Sequence, residues 1–122
     1  MPKTIYLIED TADLRIMLEL LLKKQGYTVL SFANARSYKE KMADTLPDMV
    51  ILDIMLPDAN GFEICAQLRK LPITEHIPVL LMSANVYNNE QLPQADRIDF
   101  IAKPFDIGSF SLKVKQLSDL EN

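Results

Sequence analysis

The sequence predicts an α/β fold: a doubly wound sheet of five parallel strands with helices on both faces. Short apolar runs alternate with amphipathic stretches in the order βαβαβαβαβα, and such alternation with short loops and right-handed crossovers requires a parallel sheet. The run Met49-Val50-Ile51-Leu52 carries no polar residue before it ends on Asp53, the pattern of a central strand buried on both faces. Strands one, three, four and five each end on a charged or hydroxyl residue. In open α/β sheets that carboxyl edge is where ligands bind.

The first strand, Thr4-Ile5-Tyr6-Leu7-Ile8, stops at Glu9-Asp10. Thr11 is placed to cap the helix that follows, where Leu14, Met17, Leu18, Leu21 and Leu22 recur at helical spacing and Gly26 supplies a left-handed stop. Thr28 to Ser31 forms the second strand. Asn34 caps a second helix carrying Tyr38 and Met42, which ends near Leu46 ahead of Pro47. The central strand comes next, then a loop holding Pro57 and Gly61, then a third helix with Phe62, Cys65 and Leu68 on its inner face.

Pro72 and Pro78 bracket a connection to the fourth strand, Val79-Leu80-Leu81-Met82, which ends on Ser83-Ala84. His76, between Glu75 and Ile77, reads as a loop residue of that connection. From Asn85 to Arg97 the chain is Asn-rich, contains Pro93 and has few apolar positions, so only a short fourth helix is expected. Phe100-Ile101-Ala102 forms the last strand, closing on Lys103-Pro104. Asp106 then precedes a last helix whose buried stripe is Phe110, Val114 and Leu117.

Composition narrows the class. A chain of 122 residues can bury a core without disulfides or a structural metal, and one domain, residues 1–122, accounts for all of it. The single Cys65 excludes an intramolecular disulfide and reads as a small core hydrophobe. No run approaches the roughly 20 apolar residues of a membrane span, and Met1-Pro2-Lys3-Thr4 begins no basic-then-apolar leader. A soluble, cytoplasmic protein with no membrane contact is expected. The net charge of −4, without a Lys/Arg stripe, argues against direct nucleic-acid binding.

The topology brings Glu9, Asp10, Asp53, Ser83 and Lys103 to one edge. Three carboxylates held close together raise each other's pKa unless a cation joins them, and Lys103 alone leaves a charge deficit. A hard divalent cation with an appetite for carboxylate oxygens, Mg²⁺ first and Mn²⁺ second, fills that deficit and invites a phosphate as a further ligand. Around an Asp53 nucleophile, phosphoryl transfer asks mainly for positioning and charge stabilisation, which Lys103 and the cation supply.

The chain resembles a receiver domain of the two-component response-regulator family, similar to the chemotaxis response regulator. The resemblance spans essentially the whole sequence and rests on Glu9-Asp10, Leu52-Asp53 with Pro57 and Gly61 downstream, Met82-Ser83-Ala84, and Phe100-Ile101-Ala102-Lys103-Pro104-Phe105. It implies a flavodoxin-like (βα)5 fold with strand order 2-1-3-4-5. It implies that Asp53 accepts a phosphoryl group from a phosphohistidine on a sensor histidine kinase or a histidine phosphotransfer protein. Glu9, Asp10, Asp53 and the Met55 carbonyl would hold Mg²⁺, Ser83 would bond a phosphoryl oxygen, and Lys103 would pair with another. The Lys103-Pro104 bond would be cis. Phe100 matches the family's aromatic switch position, so the surface of the fourth helix, fifth strand and last helix would answer to phosphorylation, binding an effector or a second copy. Such a domain catalyses its own phosphorylation and dephosphorylation but is chiefly regulatory.

In one place the chain departs from the family pattern. The span from Ser83 to Lys103 is short, and Arg97-Ile98 stands where a Gly is customary. Two other readings compete. A phosphorylation-independent interaction module of the same fold predicts a lost acceptor or lysine, yet both are present. A flavin or nucleotide binder needs a phosphate-cradling loop after strand one, where Glu9-Asp10 would repel the anion.

Overall fold

The computed structural model describes residues 2–84 and 97–120. The elements run β1 (Thr4–Ile8), α1 (Ala12–Lys24), β2 (Thr28–Phe32), α2 (Ala35–Met42), β3 (Met49–Asp53), α3 (Gly61–Arg69), β4 (Val79–Ser83), β5 (Ile98–Ala102) and α4 (Ile107–Ser118). The short helix expected between Asn85 and Arg97 lies outside the described residues. Accordingly α4 is the last helix of the sequence reading.

All neighbouring strands pair in parallel, in the order β2-β1-β3-β4-β5. This is the doubly wound, flavodoxin-like arrangement. Because successive strand residues face opposite sides of a sheet, the strands feed two separate cores. Tyr6, Ile8, Val50, Leu52, Val79 and Leu81 pack with Tyr38 of α2 and with Ile64, Cys65 and Leu68 of α3. Ile5, Leu7, Ile51, Leu80 and Met82 pack on the other face with Leu18 and Leu22 of α1 and with Phe110, Val114 and Leu117 of α4.

The continuous apolar run of β3 is explained by this geometry. Met49, Val50, Ile51 and Leu52 are fully buried, each contributing about 1.5–3 kcal/mol by leaving water. That burial anchors the strand end, so Asp53 is held where it stands even though the site is rich in acids.

Several local details differ from the sequence reading. Thr11 occupies the N-cap of α1 but makes no side-chain cap bond; its N–H instead donates to Glu9 Oε2 at 3.0 Å. Met17 is 42% exposed, because the stripe of α1 centres on Leu18 and Leu22 and leaves Met17 beside Leu14 at its margin. Helix α2 ends at Met42, short of Leu46. There the Tyr6 hydroxyl captures the Thr45 carbonyl and holds the chain in a turn. In α3 it is Ile64, with Cys65 and Leu68, that fills the inner face, while Phe62 is half-buried. Asn34 and Asp106 do cap their helices, accepting from the Ser37 and Ser109 N–H groups. Gly26 supplies the left-handed stop of α1 at φ 101°.

Candidate functional site

Glu9 and Asp10 follow β1, Asp53 closes β3, Ser83 closes β4 and Lys103 follows β5, so parallel pairing carries all of them to one edge of the sheet. One carboxylate oxygen from each of Glu9, Asp10 and Asp53 lies within 4.8 Å of the others. The sequence treats Glu9 and Asp10 as a like pair, but the fold separates them. Glu9 is fully buried and Asp10 is exposed.

Lys103 joins the cluster from the far end of the chain. Its Nζ stands 2.5 Å from Glu9 Oε1 and also donates to Asp53 Oδ2. Burial alone would lower the lysine's pKa, but its hydrogen bonds to Asp53 and Glu9 outweigh it and raise Lys103 above its ordinary value. Glu9 is also raised. Loss of water around its carboxyl outweighs the stabilising bonds from Lys103 and the Thr11 N–H. A buried glutamate that resists ionisation beside two further acids gains from added positive charge. The donor set is three hard carboxylate oxygens, which suits a hard divalent cation that keeps part of its water shell.

The backbone around the cluster is closely tied. The Met55 N–H donates to Asp53 Oδ1 at 2.8 Å, so Met55 enters the site through its main chain while its side chain is exposed. The β3–α3 loop closes through a Met55–Asn60 bridge and a Gly61 N–H to Ile54 carbonyl bond of 2.7 Å. A Cβ on Gly61 would stand 2.8 Å from Ile54 Cα and 2.9 Å from the Asp53 carbonyl oxygen. Only glycine lets α3 begin so near the end of β3.

Ser83 is buried at the end of β4, one residue past the Met82 that pairs with Asp53. Its carbonyl accepts the Lys103 N–H at 2.7 Å, and the Lys103–Pro104 peptide is cis. Phe100 lies away from the acids, half-buried against the core of the α2 and α3 face and level with Leu81 on β4. Beside the acids, an apolar cleft of about 450 Å³ is lined by Leu14, Met17, Ala84, Lys103, Pro104 and Phe105.

Two contributors escaped the sequence reading. The Arg15 guanidinium donates to the Glu9 carbonyl at 2.8 Å and to the Asp10 carbonyl at 3.5 Å, fixing the acidic turn from one turn inside α1. Its signal was a lone cation following the acidic pair. Asp58 caps α2 from the β3–α3 loop, a contact with no local sequence signal.

The fold and this edge define a doubly wound α/β domain with an acidic site at the carboxyl ends of its strands, and comparison with known proteins gives its family. The sequence matches the response regulator receiver domain over residues 5–115. The phosphate regulon transcriptional regulatory protein PhoB of Rhizobium meliloti is 31% identical over 121 residues, covering 96% of this chain and 52% of that protein. A putative response regulator from Chloroflexus aurantiacus superimposes with a TM-score of 0.87 at 28% identity, over 98% of this chain and 100% of that one. The response regulator TrrA of Thermotoga maritima, solved in complex with Mg(2+)-BeF, has a TM-score of 0.81 at 27% identity, over 94% of this chain and 98% of that one. The chain belongs to the response regulator receiver family and is a receiver domain of two-component systems. It spans at most about half the length of the curated relatives it matches. Among the described residues no helix is long and apolar enough to cross a membrane.

Proposed function

We propose that Asp53 accepts a phosphoryl group from a phosphohistidine, presented by a sensor histidine kinase or a histidine phosphotransfer protein, and that the modified surface then controls an effector or a second copy of the chain. The observation that carries this reading is the meeting of Lys103 with both Glu9 and Asp53 beside Asp10. A nucleophilic carboxylate, a fixed cation and an acidic cation site share one edge.

Glu9, Asp10, Asp53 and the Met55 carbonyl would hold Mg²⁺ or Mn²⁺, which when bound neutralises the acids and supplies charge to phosphoryl oxygens. The chain's own residues do the rest. Asp53 forms the new P–O bond as the P–N bond breaks, and the electron pair of that bond returns to the histidine ring. Lys103, pairing with a phosphoryl oxygen, and the Ser83 hydroxyl, donating to another, hold the group in line. The Met55 N–H, already on Asp53 Oδ1, keeps the carboxylate turned toward the reacting phosphorus. The neighbouring cleft offers Leu14, Met17 and Phe105 to the apolar surroundings of the donor histidine.

Incubation with Mg²⁺ and acetyl phosphate is expected to add one phosphoryl group by intact-protein mass spectrometry. Asp53→Asn abolishes it, since an amide is no nucleophile. Asp10→Asn weakens Mg²⁺ in titration calorimetry because a charged ligand is lost. The same adduct in Asp53→Asn, or unchanged Mg²⁺ affinity in Asp10→Asn, would reject the corresponding role.

A further inference from the structure

We propose that Asp58 is a positioning residue for the acceptor site: its carboxylate ties the tip of the β3–α3 loop to the first turn of α2 and so fixes the Asp53–Met55 backbone for the cation. The inference rests on the reading of the acidic cluster as a Mg²⁺ site.

Both Asp58 oxygens are engaged. Oδ1 accepts the Ala35 N–H at 2.8 Å and Oδ2 accepts the Arg36 N–H at 2.9 Å. The first N–H groups of a helix have no partner inside it, and here the third, Ser37, is already served by Asn34. Helix α2 therefore has a local cap and a second one supplied across 23 residues of chain. The bond from Ala35, with Arg36 adding to it, outweighs desolvation and holds the Asp58 carboxyl below the usual range. It stays charged and bonded.

Asp58 anchors the outer side of the loop. Its internal bonds, Met55 with Asn60, Leu56 N–H to the Ala59 carbonyl and Gly61 N–H to the Ile54 carbonyl, fix its shape, and the Ile54 N–H to Met82 carbonyl bond of 2.9 Å, with Ile54 and Leu56 buried, holds its inner side to the sheet. Asp58 stands at the outer end of that closed loop. Because the Met55 N–H is bonded to Asp53 Oδ1, a tilt of the loop moves the acceptor carboxylate and the Met55 carbonyl together. The anchor itself is firm. Ala35 is buried, and Tyr38 one turn on stacks edge-to-face with Tyr6 of β1 and Phe32 of β2. Ligand-supporting contacts of this kind set how well a metal's ligands are pre-arranged.

Three variants of the full chain, titrated with Mg²⁺ by calorimetry, separate this role from simple helix capping. Asp58→Ala is expected to weaken Mg²⁺ roughly tenfold, the mild end of the range for supporting residues, because one loop is affected. Asn34→Ala removes the other cap of the same helix and lowers the thermal midpoint, yet leaves Mg²⁺ affinity within about twofold. Asp58→Asn keeps an oxygen for only one of the two N–H groups and sets its amide NH2 against the other, so its Mg²⁺ affinity is expected to fall between those of wild type and Asp58→Ala. Equal Mg²⁺ affinity in Asp58→Ala and wild type overturns the proposal, as does an equal loss in Asn34→Ala. Failure of the wild type to bind Mg²⁺ would instead defeat the site assignment on which the proposal stands.

Discussion

Lys103 Nζ lies 2.5 Å from Glu9 Oε1, a contact between groups 94 residues apart in the chain. The glutamate side chain is fully buried and the lysine is 19% exposed. With Asp53 on its other side, Lys103 is the fixed positive charge that lets the acids share one edge. Removing one member of a largely buried pair leaves the other uncompensated, which costs more than the pair itself contributes.

Lys103→Met is therefore expected to lower stability by about 2–3 kcal/mol in a chelator-treated sample. A cation bound by Glu9, Asp10 and Asp53 neutralises the same carboxylates. Saturating Mg²⁺ should narrow the gap between variant and wild type in urea unfolding, since a ligand of the native state stabilises it by mass action. A gap unchanged by Mg²⁺ would show that lysine and cation do not act on the same charges.

Gly61 gives the second prediction. The atoms a Cβ would meet, Ile54 Cα at 2.8 Å and the Asp53 carbonyl oxygen at 2.9 Å, are backbone and cannot swing aside. Gly61→Ala should cost about 1–3 kcal/mol, the range for overpacking, and should weaken Mg²⁺ because Asp53 and Ile54 must move apart from α3. Gly108→Ala is the control. Its Cβ would approach only the Asp106 side chain, at 3.2 Å, and stability should change by less than about 0.5 kcal/mol. Urea midpoints of the two variants check both statements.

How much of this was legible in the sequence depended on how local the cause was. Strand β3 and its terminal acid could be read because an unbroken apolar run fits only a strand covered on both faces. Asn34 could be read because a cap and its N–H donor lie three residues apart. The end of α2 could not, because the Tyr6 hydroxyl that takes the Thr45 carbonyl comes from a strand 39 residues away. Thr11 misled for a related reason. Its N–H is claimed by the Glu9 carboxylate, and its hydroxyl caps nothing. Neighbouring acids as alike as Glu9 and Asp10 differ in burial only because the fold turns one toward Lys103 and the other toward solvent.

The third prediction is a pH dependence. The Ser109 N–H and hydroxyl, both bonded to its carboxylate, hold the Asp106 carboxyl below its ordinary value. For an acid whose pKa is depressed on folding, the unfolded chain binds the proton more readily. The stabilisation is present above the unfolded value of about 3.9 and is lost as pH falls through the lower folded value. Asp106→Ala should thus be less stable than wild type at about pH 6 and converge on it as the solution is acidified below about pH 3. Denaturant midpoints measured at both ends check this. A constant difference across the range would mean that the cap acts without its charge.

Phe100 carries the last prediction, which concerns how the state of Asp53 reaches the outer surface. A phosphoryl group adds up to about two negative charges and new acceptor oxygens, and the Ser83 hydroxyl, at the neighbouring strand end, is the group expected to answer them. Ser83 is coupled to β5 because its carbonyl accepts the Lys103 N–H at 2.7 Å. Two strand residues back from Ala102, the partner of Ser83, Phe100 is level with Leu81 and rests half-buried against the core of the α2 and α3 face, and Asp99 beside it is paired with Lys113 of α4 at 3.2 Å. A displacement at Ser83 therefore has a physical line through β5 to α4. Phe has no hydroxyl, so the ring can act only by packing, and a partner that prefers the altered packing shifts the population by its differential affinity. Phe100→Ala should cost about 1–2 kcal/mol of stability, less than a fully buried ring would, and should leave phosphorylation of Asp53 by acetyl phosphate largely intact. It should remove the response of α4. Amide chemical shifts recorded before and after phosphorylation are expected to change along Ile107–Ser118 in the wild type and to stay still there in the variant, with partner binding or dimerisation lost in parallel. Shifts that remain confined to the loops around Asp53 in the wild type would exclude this route.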